Sequence, residues 1–538
     1  MLFGLVSRHY LGQSQQRVFS EIALPDIVTH DSADSSISGT ALSHTWRTYT
    51  SVGSAKELLQ ADVQTMLKEL QQNIHFTYVK FHGILSDDMH VCTRGADGNL
   101  QYSFVYVDKA LDFLLSIGLK PLIQLSFMPA AIAQTPERRI FDSTMINSLP
   151  ARMEDWCDLV RAFTAHLLQR FGKETVVQWP FTVWNEPDTP TSMFGFESDN
   201  AFYAFYRDTW RTVHSVCTEI QIGSPSTYFG PAETDIWMRE FASYCRSNQC
   251  EPDFMLFHFY GAINSHSKAE YDKPDHTLGQ MQLTTDENLM SKSIDMILSF
   301  VHFVYHEDMP IFLTEWNFSP SHRELLGDTI FRSCYLVKNI LENYDRLGSM
   351  GYWLLTDLFE EHQVPPATFH GGLGLYTYNG IKKPSYYAMW LLSKLGEERI
   401  GQGDGWFLTR KGDDYQLMLY HYQHYSSLYA ACEAFDMTDT ERYTPFGPEQ
   451  RREFEIRIVH MTSGIWRAVE YSISRTSGSA FDKWVEMGAQ PLENSEEVTL
   501  LKSLSLPMLN KYFLQAGESG LSVNVIPVSY THLRAHET

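Results

Sequence analysis

The feature that most constrains this chain is a strand–helix alternation sustained from residue 43 to residue 356. Short apolar runs recur at 44–51, 76–82, 121–127, 180–184, 219–224, 253–259, 310–315 and 350–356. Helical periodicity fills most of the gaps between them. Leu59, Val63, Met66, Leu67 and Leu70 make one stripe; Trp156, Leu159, Val160, Phe163 and Leu167 make another; Ile330, Cys334, Val337 and Leu341 a third. Such repetition requires parallel strands joined by crossover helices. The run lengths and count predict an α/β chain closed into a (β/α)8 TIM barrel over 43–394. An open, doubly wound sheet is the competing arrangement. It usually carries a phosphate-binding glycine motif after its first strand, and none is present.

After residue 395 the texture changes to short alternating segments at 414–420, 453–459, 465–473 and 496–500, separated by turn-rich stretches. This pattern predicts an accessory β-sandwich over 395–527. Residues 1–42 form an N-terminal segment whose short apolar run is suited to adding a strand to that sandwich. The last residues, 528–538, look like translated sequencing-adapter sequence and are read as a non-native, artefactual tail.

A formal charge of −23 opposes binding to nucleic acid or an anionic membrane and leaves an uncharged substrate compatible. The seven cysteines are scattered between Cys92 and Cys432, with no C-x2-C metal pattern or dense disulfide framework. No apolar stretch approaches 18 residues, and the first residues lack a convincing signal-peptide core. The expected location is therefore cytoplasmic. Oligomeric state is not readable from this pattern.

Two carboxylates stand where barrel chemistry would need them. Glu186 directly follows the fourth run, in Trp184-Asn185-Glu186-Pro187-Asp188, and Glu315 closes the seventh, in Thr314-Glu315-Trp316-Asn317. Cleaving a glycosidic bond with retention takes a protonated acid and an ionised nucleophile about 5–5.5 Å apart. Adjacent strand ends of a barrel can supply that spacing. Each glutamate alone could instead cap a segment or sit in a structural ion pair. His82, Phe127, Asn185, His258, Tyr260 and Trp353 fall at other strand ends, and Glu360 and Glu361 lie just beyond the eighth. A hydrogen bond from Tyr260 or His258 could orient Glu315, and Trp353 could support a pyranose face. For the aromatics a packed core role is equally good, and for Glu360 and Glu361 so is an exposed acidic loop. There is no H-E-x-x-H zinc motif and no G-x-S-x-G elbow.

These motifs, together with Phe81-His82-Gly83-Ile84-Leu85-Ser86-Asp87-Asp88-Met89, Asp357-Leu358-Phe359-Glu360-Glu361, Phe369-His370-Gly371-Gly372 and Gly478-Ser479-Ala480-Phe481-Asp482-Lys483-Trp484, resemble glycoside hydrolase family 39. That family is best known for β-xylosidases and α-L-iduronidases. The resemblance covers about residues 43–525. It implies Glu186 as acid/base, Glu315 as nucleophile, and Asn185, His258, Tyr260 and Trp353 lining the sugar subsite, with His82, Phe127, Glu360 and Glu361 as further members. It implies no cofactor and no catalytic metal, and a small oligosaccharide or glycoside as substrate.

Two departures from the family pattern bear on specificity. Lys80 stands where the second-strand motif commonly has arginine, and the 189–195 segment lacks the tryptophan often found nearby. Lys80 is also a candidate for pairing a substrate carboxylate if it points to the site. The chain further resembles the family 39 regions attached to AraC-like bacterial regulators. That resemblance makes a weakly catalytic sugar-sensing module the alternative to a β-xylosyl-releasing hydrolase; a glycosidase of different glycone specificity is the second.

Overall fold

The computed structural model describes residues 27–228, 232–262, 283–359, 361, 364–430, 437–438, 440–447, 452–525 and 533–537, with backbone alone at 232–234 and 533–537. The barrel strands are β1 (Tyr49–Ser54), β2 (Tyr78–His82), β3 (Lys120–Leu125), β4 (Phe181–Val183), β5 (Thr227–Tyr228), β6 (Met255–Tyr260), β7 (Ile311–Asn317) and β8 (Ser349–Tyr352). They form two four-stranded parallel sheets, β1 to β4 and β5 to β8. Backbone bonds close both seams. Gly223 N–H to Phe181 O (2.8 Å) and Glu186 N–H to Ser226 O (2.7 Å) join β4 to the fifth segment; Leu355 N–H to Ser51 O (2.9 Å) joins the eighth to the first. Helices from Ala61–Ile74 to Pro384–Leu392 alternate with these strands outside the barrel.

Three sequence expectations shift. The first run opens with a tight turn, Thr45–Arg47, so that β1 begins only at Tyr49. The fifth run, 219–224, is not a strand. Ile222 makes an isolated bridge to Phe181, and pairing resumes at Thr227 after Pro225, which has no N–H for a ladder. In the accessory region, 496–500 is helical within Ser495–Leu504. The Asn494 side chain accepts from the N–H groups of Glu496 and Glu497, and these acids favour a helix start.

The accessory unit is two sheets around their own apolar core, which includes Trp406, Leu408, Leu417, Phe454, Ile456 and Val523. One sheet has seven strands, in the order Met508–Ala516, Gly464–Ile473, Leu533–Glu537, Asp414–Tyr420, Trp406–Lys411, Glu398–Gly403 and Thr40–Ala41. The other has three, Ile27–Asp34, Arg452–Val459 and Leu521–Val525. Ile27–Asp34 thus reaches across the chain to pair in parallel with Arg452–Val459. Leu533–Glu537, inside the segment read as a non-native tail, bonds antiparallel to both its neighbours. A ladder slot of this kind is filled by backbone groups and asks little of side-chain identity. Among the described residues no helix is long and apolar enough to cross a membrane.

A buried ionic knot fastens the loops after β7 and β8 to the accessory unit. The side chains of Asp328, Asp357, Lys383 and Arg442 have no exposed surface. Lys383 Nζ bridges Asp328 (2.7 Å) and Asp357 (2.6 Å), while Arg442 Nη1 donates to Asp328 (2.7 Å) and Nη2 to Phe369 O (2.6 Å). Gly371 N–H and Gly374 N–H donate to Asp328 and Asp357 at 2.7 and 2.8 Å. Burial pushes the Asp328 carboxyl up, but Lys383 and Arg442 outweigh it and hold it well below the usual carboxylate range. Removing one partner of such a knot strands the others, at a cost of about 3–5 kcal/mol. Asp328→Ala should therefore lower the free energy of unfolding by an amount in that range, read as a lower denaturant midpoint at unchanged slope. A depressed folded-state pKa adds stability above the unfolded value and loses it as pH falls. The wild-type advantage should accordingly be full at neutral pH and shrink under acid; equal midpoints at pH 7 would contradict the knot's role.

Candidate active site

At the C-terminal mouth, β4 ends at Val183 and the chain turns through Trp184, Asn185 and Glu186. Trp184 and Glu186 adopt left-handed conformations, with φ of 68° and 41°. Such backbone costs about 1–3 kcal/mol per non-glycine residue unless its surroundings hold it. Here they do: Trp184 Nε1–H donates to Phe194 O (3.0 Å), and Gln124 Nε2 donates to Trp184 O (2.7 Å).

On the other side of the mouth, a β-bulge sets the register. Phe257 pairs with Leu313 but His258 pairs with Glu315, so Thr314 is the extra residue in β7. The bulge brings His258 and Tyr260 of β6 level with Glu315 and Asn317. Glu186 and Glu315 are 5% and 4% exposed. One oxygen of each and a ring nitrogen of His258 lie within 4.8 Å of one another. Oxygens that near one another are within the reach of a retaining pair, whose carboxyls lie roughly 5–5.5 Å apart, and well short of the roughly 6.5–9.5 Å of inverting ones.

Lys80 is fully buried on β2; burial pulls its amine below the usual lysine range, and the neighbouring Glu315, with Glu186 and Glu361, opposes that and favours the charged form. Its ammonium bonds Glu315 Oε1, lies 2.9 Å from His258 Nε2 and donates to Asn185 Oδ1 at 3.4 Å. Tyr260 OH donates to Glu315 Oε2 (2.8 Å), and His82 Nε2 is 3.5 Å from Glu315 Oε1. His258 Nδ1 makes its short contact to Glu186 Oε1 at 2.6 Å, with Glu315 Oε2 at 3.4 Å. The ligand atoms of Glu186, His258 and Glu315 are close enough to hold a cation, yet the Lys80 ammonium already places a positive charge against two of the three.

The environments of the two carboxyls differ. Burial pushes Glu186 well above its ordinary range, and the negative charges of Glu315 and Asp188 add to that. Burial also raises Glu315, but Lys80 and the Tyr260 hydroxyl oppose it. His82 and His258 are pushed well below the usual histidine range by burial and by the Lys80 charge, and so are neutral. Both carboxyls are raised on balance, Glu186 the further of the two, and only Glu315 has a cation and a phenol opposing the rise.

The remaining sequence candidates divide. Trp353 directly follows β8; its ring lies 5.0 Å from His82 and 5.3 Å from Lys80 Nζ. Phe127 is buried behind His82, 5.9 Å from it and 5.1 Å from Trp184, as an apolar wall. Asn185 faces Lys80 and Gln124. Glu361 is held farther out, with His322 Nε2 at 3.2 Å, and Glu360 falls outside the described residues. Phe359 closes the wall beside Trp353 (5.4 Å), seated on Gly53, where a Cβ would come within 1.6 Å of its ring. By sequence Lys80 is a candidate partner for a substrate carboxylate. Its bonds to Glu315, His258 and Asn185 direct it instead to the protein's own acids. The period of two shared with His82 in β2 carried that signal, as did the charge inside an otherwise apolar strand. Gln124, which also lines the site, was missed; it is the one polar residue in the buried 121–125 part of β3.

A closely spaced acid and carboxylate in the mouth of a (β/α)8 barrel define the class of barrel glycoside hydrolases. Within that class, the family model for glycosyl hydrolases family 39 matches residues 32–517, and the chain belongs to that family. A β-xylosidase of Caldicellulosiruptor saccharolyticus is 35% identical over 347 residues, 64% of this chain and 67% of that protein. The crystal structure of the family 39 enzyme from Xanthomonas axonopodis pv. citri superposes with a TM-score of 0.83 at 22% identity, over 96% of this chain and 98% of that one. An uncharacterized HTH-type transcriptional regulator of Staphylococcus aureus is 20% identical over 269 residues, 50% of this chain and 34% of that protein.

Because Glu315 contributes to the raised pKa of Glu186, Glu315→Gln should move the Glu186 titration downward. The substitution removes a like charge and frees Lys80 to act on Glu186. Carbon-labelled glutamate NMR reads this directly; an unmoved midpoint would mean that Glu315 takes no part in setting it.

Proposed function

We propose that this chain is a retaining glycosidase that releases terminal β-xylosyl residues, with Glu186 as acid/base and Glu315 as nucleophile. The observation that carries this reading is the buried pair with oxygens within 4.8 Å, one carboxyl pushed up by burial and like charge, the other held by Lys80 and Tyr260. In the first step Glu186 gives its proton to the glycosidic oxygen. Glu315 attacks the anomeric carbon as that C–O bond breaks, forming a glycosyl ester. Esterification removes the negative charge beside Glu186, which lowers its pKa and leaves it suited to take a proton from water in the second step. Water attacks the anomeric carbon, the ester bond breaks, and configuration is retained.

Release of terminal residues fits a reacting centre in which Glu186, Glu315, His82 and Trp353 are all nearly buried. The β-xylosyl preference rests on the named β-xylosidase relative. The six described cysteines are free thiols, which fits a reducing, cytoplasmic setting. The similarity to the HTH-type regulator favours a second reading, sugar sensing without turnover.

Proton NMR of aryl β-xyloside hydrolysis should show β-xylose as the first-formed sugar. Glu186→Gln should lower turnover about 100- to 10,000-fold. Glu315→Ala should abolish the covalent intermediate, which a fluorinated xyloside trapped on Glu315 would report in the wild type by mass spectrometry. Tight sugar binding with no turnover across a glycoside panel would select the sensing reading instead.

A further inference from the structure

Lys80 Nζ lies 2.9 Å from His258 Nε2, and His258 Nδ1 lies 2.6 Å from Glu186 Oε1. An ammonium has three donors and no acceptor, and a neutral imidazole has one of each. Nε2 must therefore accept from Lys80, the ring proton sits on Nδ1, and Nδ1–H donates to Glu186 Oε1. We propose that Lys80 and His258 form a positioning relay that keeps Oε1 of Glu186 an acceptor and so puts the acid proton on Oε2, the oxygen left for the leaving group. The relay rests on the reading of Glu186 as the acid.

The neighbours leave little room for another arrangement. Lys80 has three acceptors for its three N–H groups: Glu315 Oε1, His258 Nε2 and Asn185 Oδ1. Asn185 Oδ1 also receives Gln124 Nε2 at 3.3 Å, which fixes its amide with the oxygen towards Lys80. The competing acceptor for Nδ1–H, Glu315 Oε2, is farther away at 3.4 Å and already takes the Tyr260 proton. Burial, with Lys80 and His82 alongside, opposes a doubly protonated His258. The groups facing Lys80 are Glu315 of β7, His258 of β6, Asn185 and Glu186 of the β4 turn, His82 of β2 and Trp353 after β8, with Glu361 at longer range.

The same geometry serves both half-reactions. Once Glu186 has given up its proton, Nδ1–H stays on Oε1 as a charge-assisted bond, and Oε2 remains the free oxygen that accepts from water. A single oxygen thus donates the proton and later takes one back. The positive charge required of Lys80 is also met by arginine, which never loses it.

NMR of the full chain carrying nitrogen-labelled histidine tests the tautomer without reference to turnover, with the His258 signal assigned by its loss in His258→Phe. The expected result is a neutral ring protonated at Nδ1 in the wild type and in Lys80→Arg, and a proton shifted towards Nε2 in Lys80→Met. Kinetics test the consequence. His258→Phe should cut kcat/KM about 100-fold on an aryl β-xyloside with a poor leaving group, and less than about 10-fold on a dinitrophenyl xyloside, which needs little acid. A wild-type ring protonated at Nε2 or at both nitrogens overturns the relay, as does an equal loss on both substrates. An Nδ1–H ring in a protein that hydrolyses no glycoside would instead sink the glycosidase reading and leave the tautomer assignment standing.

Discussion

A charged lysine without exposed surface persists only where each of its donors finds an acceptor and its charge finds a counter-charge. At Lys80 those requirements fall on Glu315, His258 and Asn185, which come from three different barrel segments. Much of the local architecture serves to bring them there. The bulge at Thr314 sets His258 level with Glu315, the left-handed turn after β4 presents Asn185 and Glu186, and Gln124 holds that turn from β3. None of these devices is favourable alone; a bulge interrupts a ladder, and left-handed non-glycine residues carry strain. They persist because the barrel core around them is closely packed and because a buried cation with an unmet donor would cost more.

The same lysine separates two residues of identical chemistry. Glu186 and Glu315 have nearly equal burial and differ in what stands beside them. One faces carboxylates and a neutral imidazole; the other faces an ammonium and a phenol. Pairs of acids assigned opposite roles by their surroundings are a general route to acid and nucleophile in one pocket. Family 39 membership gives this asymmetry a chemical setting, and the rings of His82, Phe127, Trp353 and Phe359 give it a weakly polarisable wall in which charge differences count for more.

Legibility in the sequence followed the physics of each element. Long helices with a complete apolar stripe, such as Met153–Phe171, were plain because burial on one face repeats every turn. The fifth strand was not, since Gly223, Ser224 and Pro225 break the run just after the alternating Glu219-Ile220-Gln221-Ile222 that looks like a strand. The segment 496–500 alternates like a strand, but Asn494 and two glutamates start a helix there. Glu186 and Glu315 could be placed at strand ends because a charge closing an apolar run has few places to go. Which neighbour each would bond was beyond reach: His258 could have been paired with either carboxylate, and only the bulge decides. Lys80 and Gln124 stood in view as polar residues inside buried strands, but a barrel interior accommodates such residues only through partners that sequence spacing does not name.

The Arg442–Asp328 contact makes the accessory unit more than an appendage. Arg442 belongs to the region after the barrel, yet its guanidinium is buried against the loops that follow β7 and β8 and bonds the carbonyl of Phe369. The loop carrying Phe359 and Glu361 is thereby tied down from outside the barrel. A barrel cut away at residue 394 would keep both Glu186 and Glu315 with their neighbours and lose one of the two cations that neutralise Asp328. The two units are therefore not freely exchangeable parts: a replacement sandwich would have to bring its own cation to the same buried carboxylate.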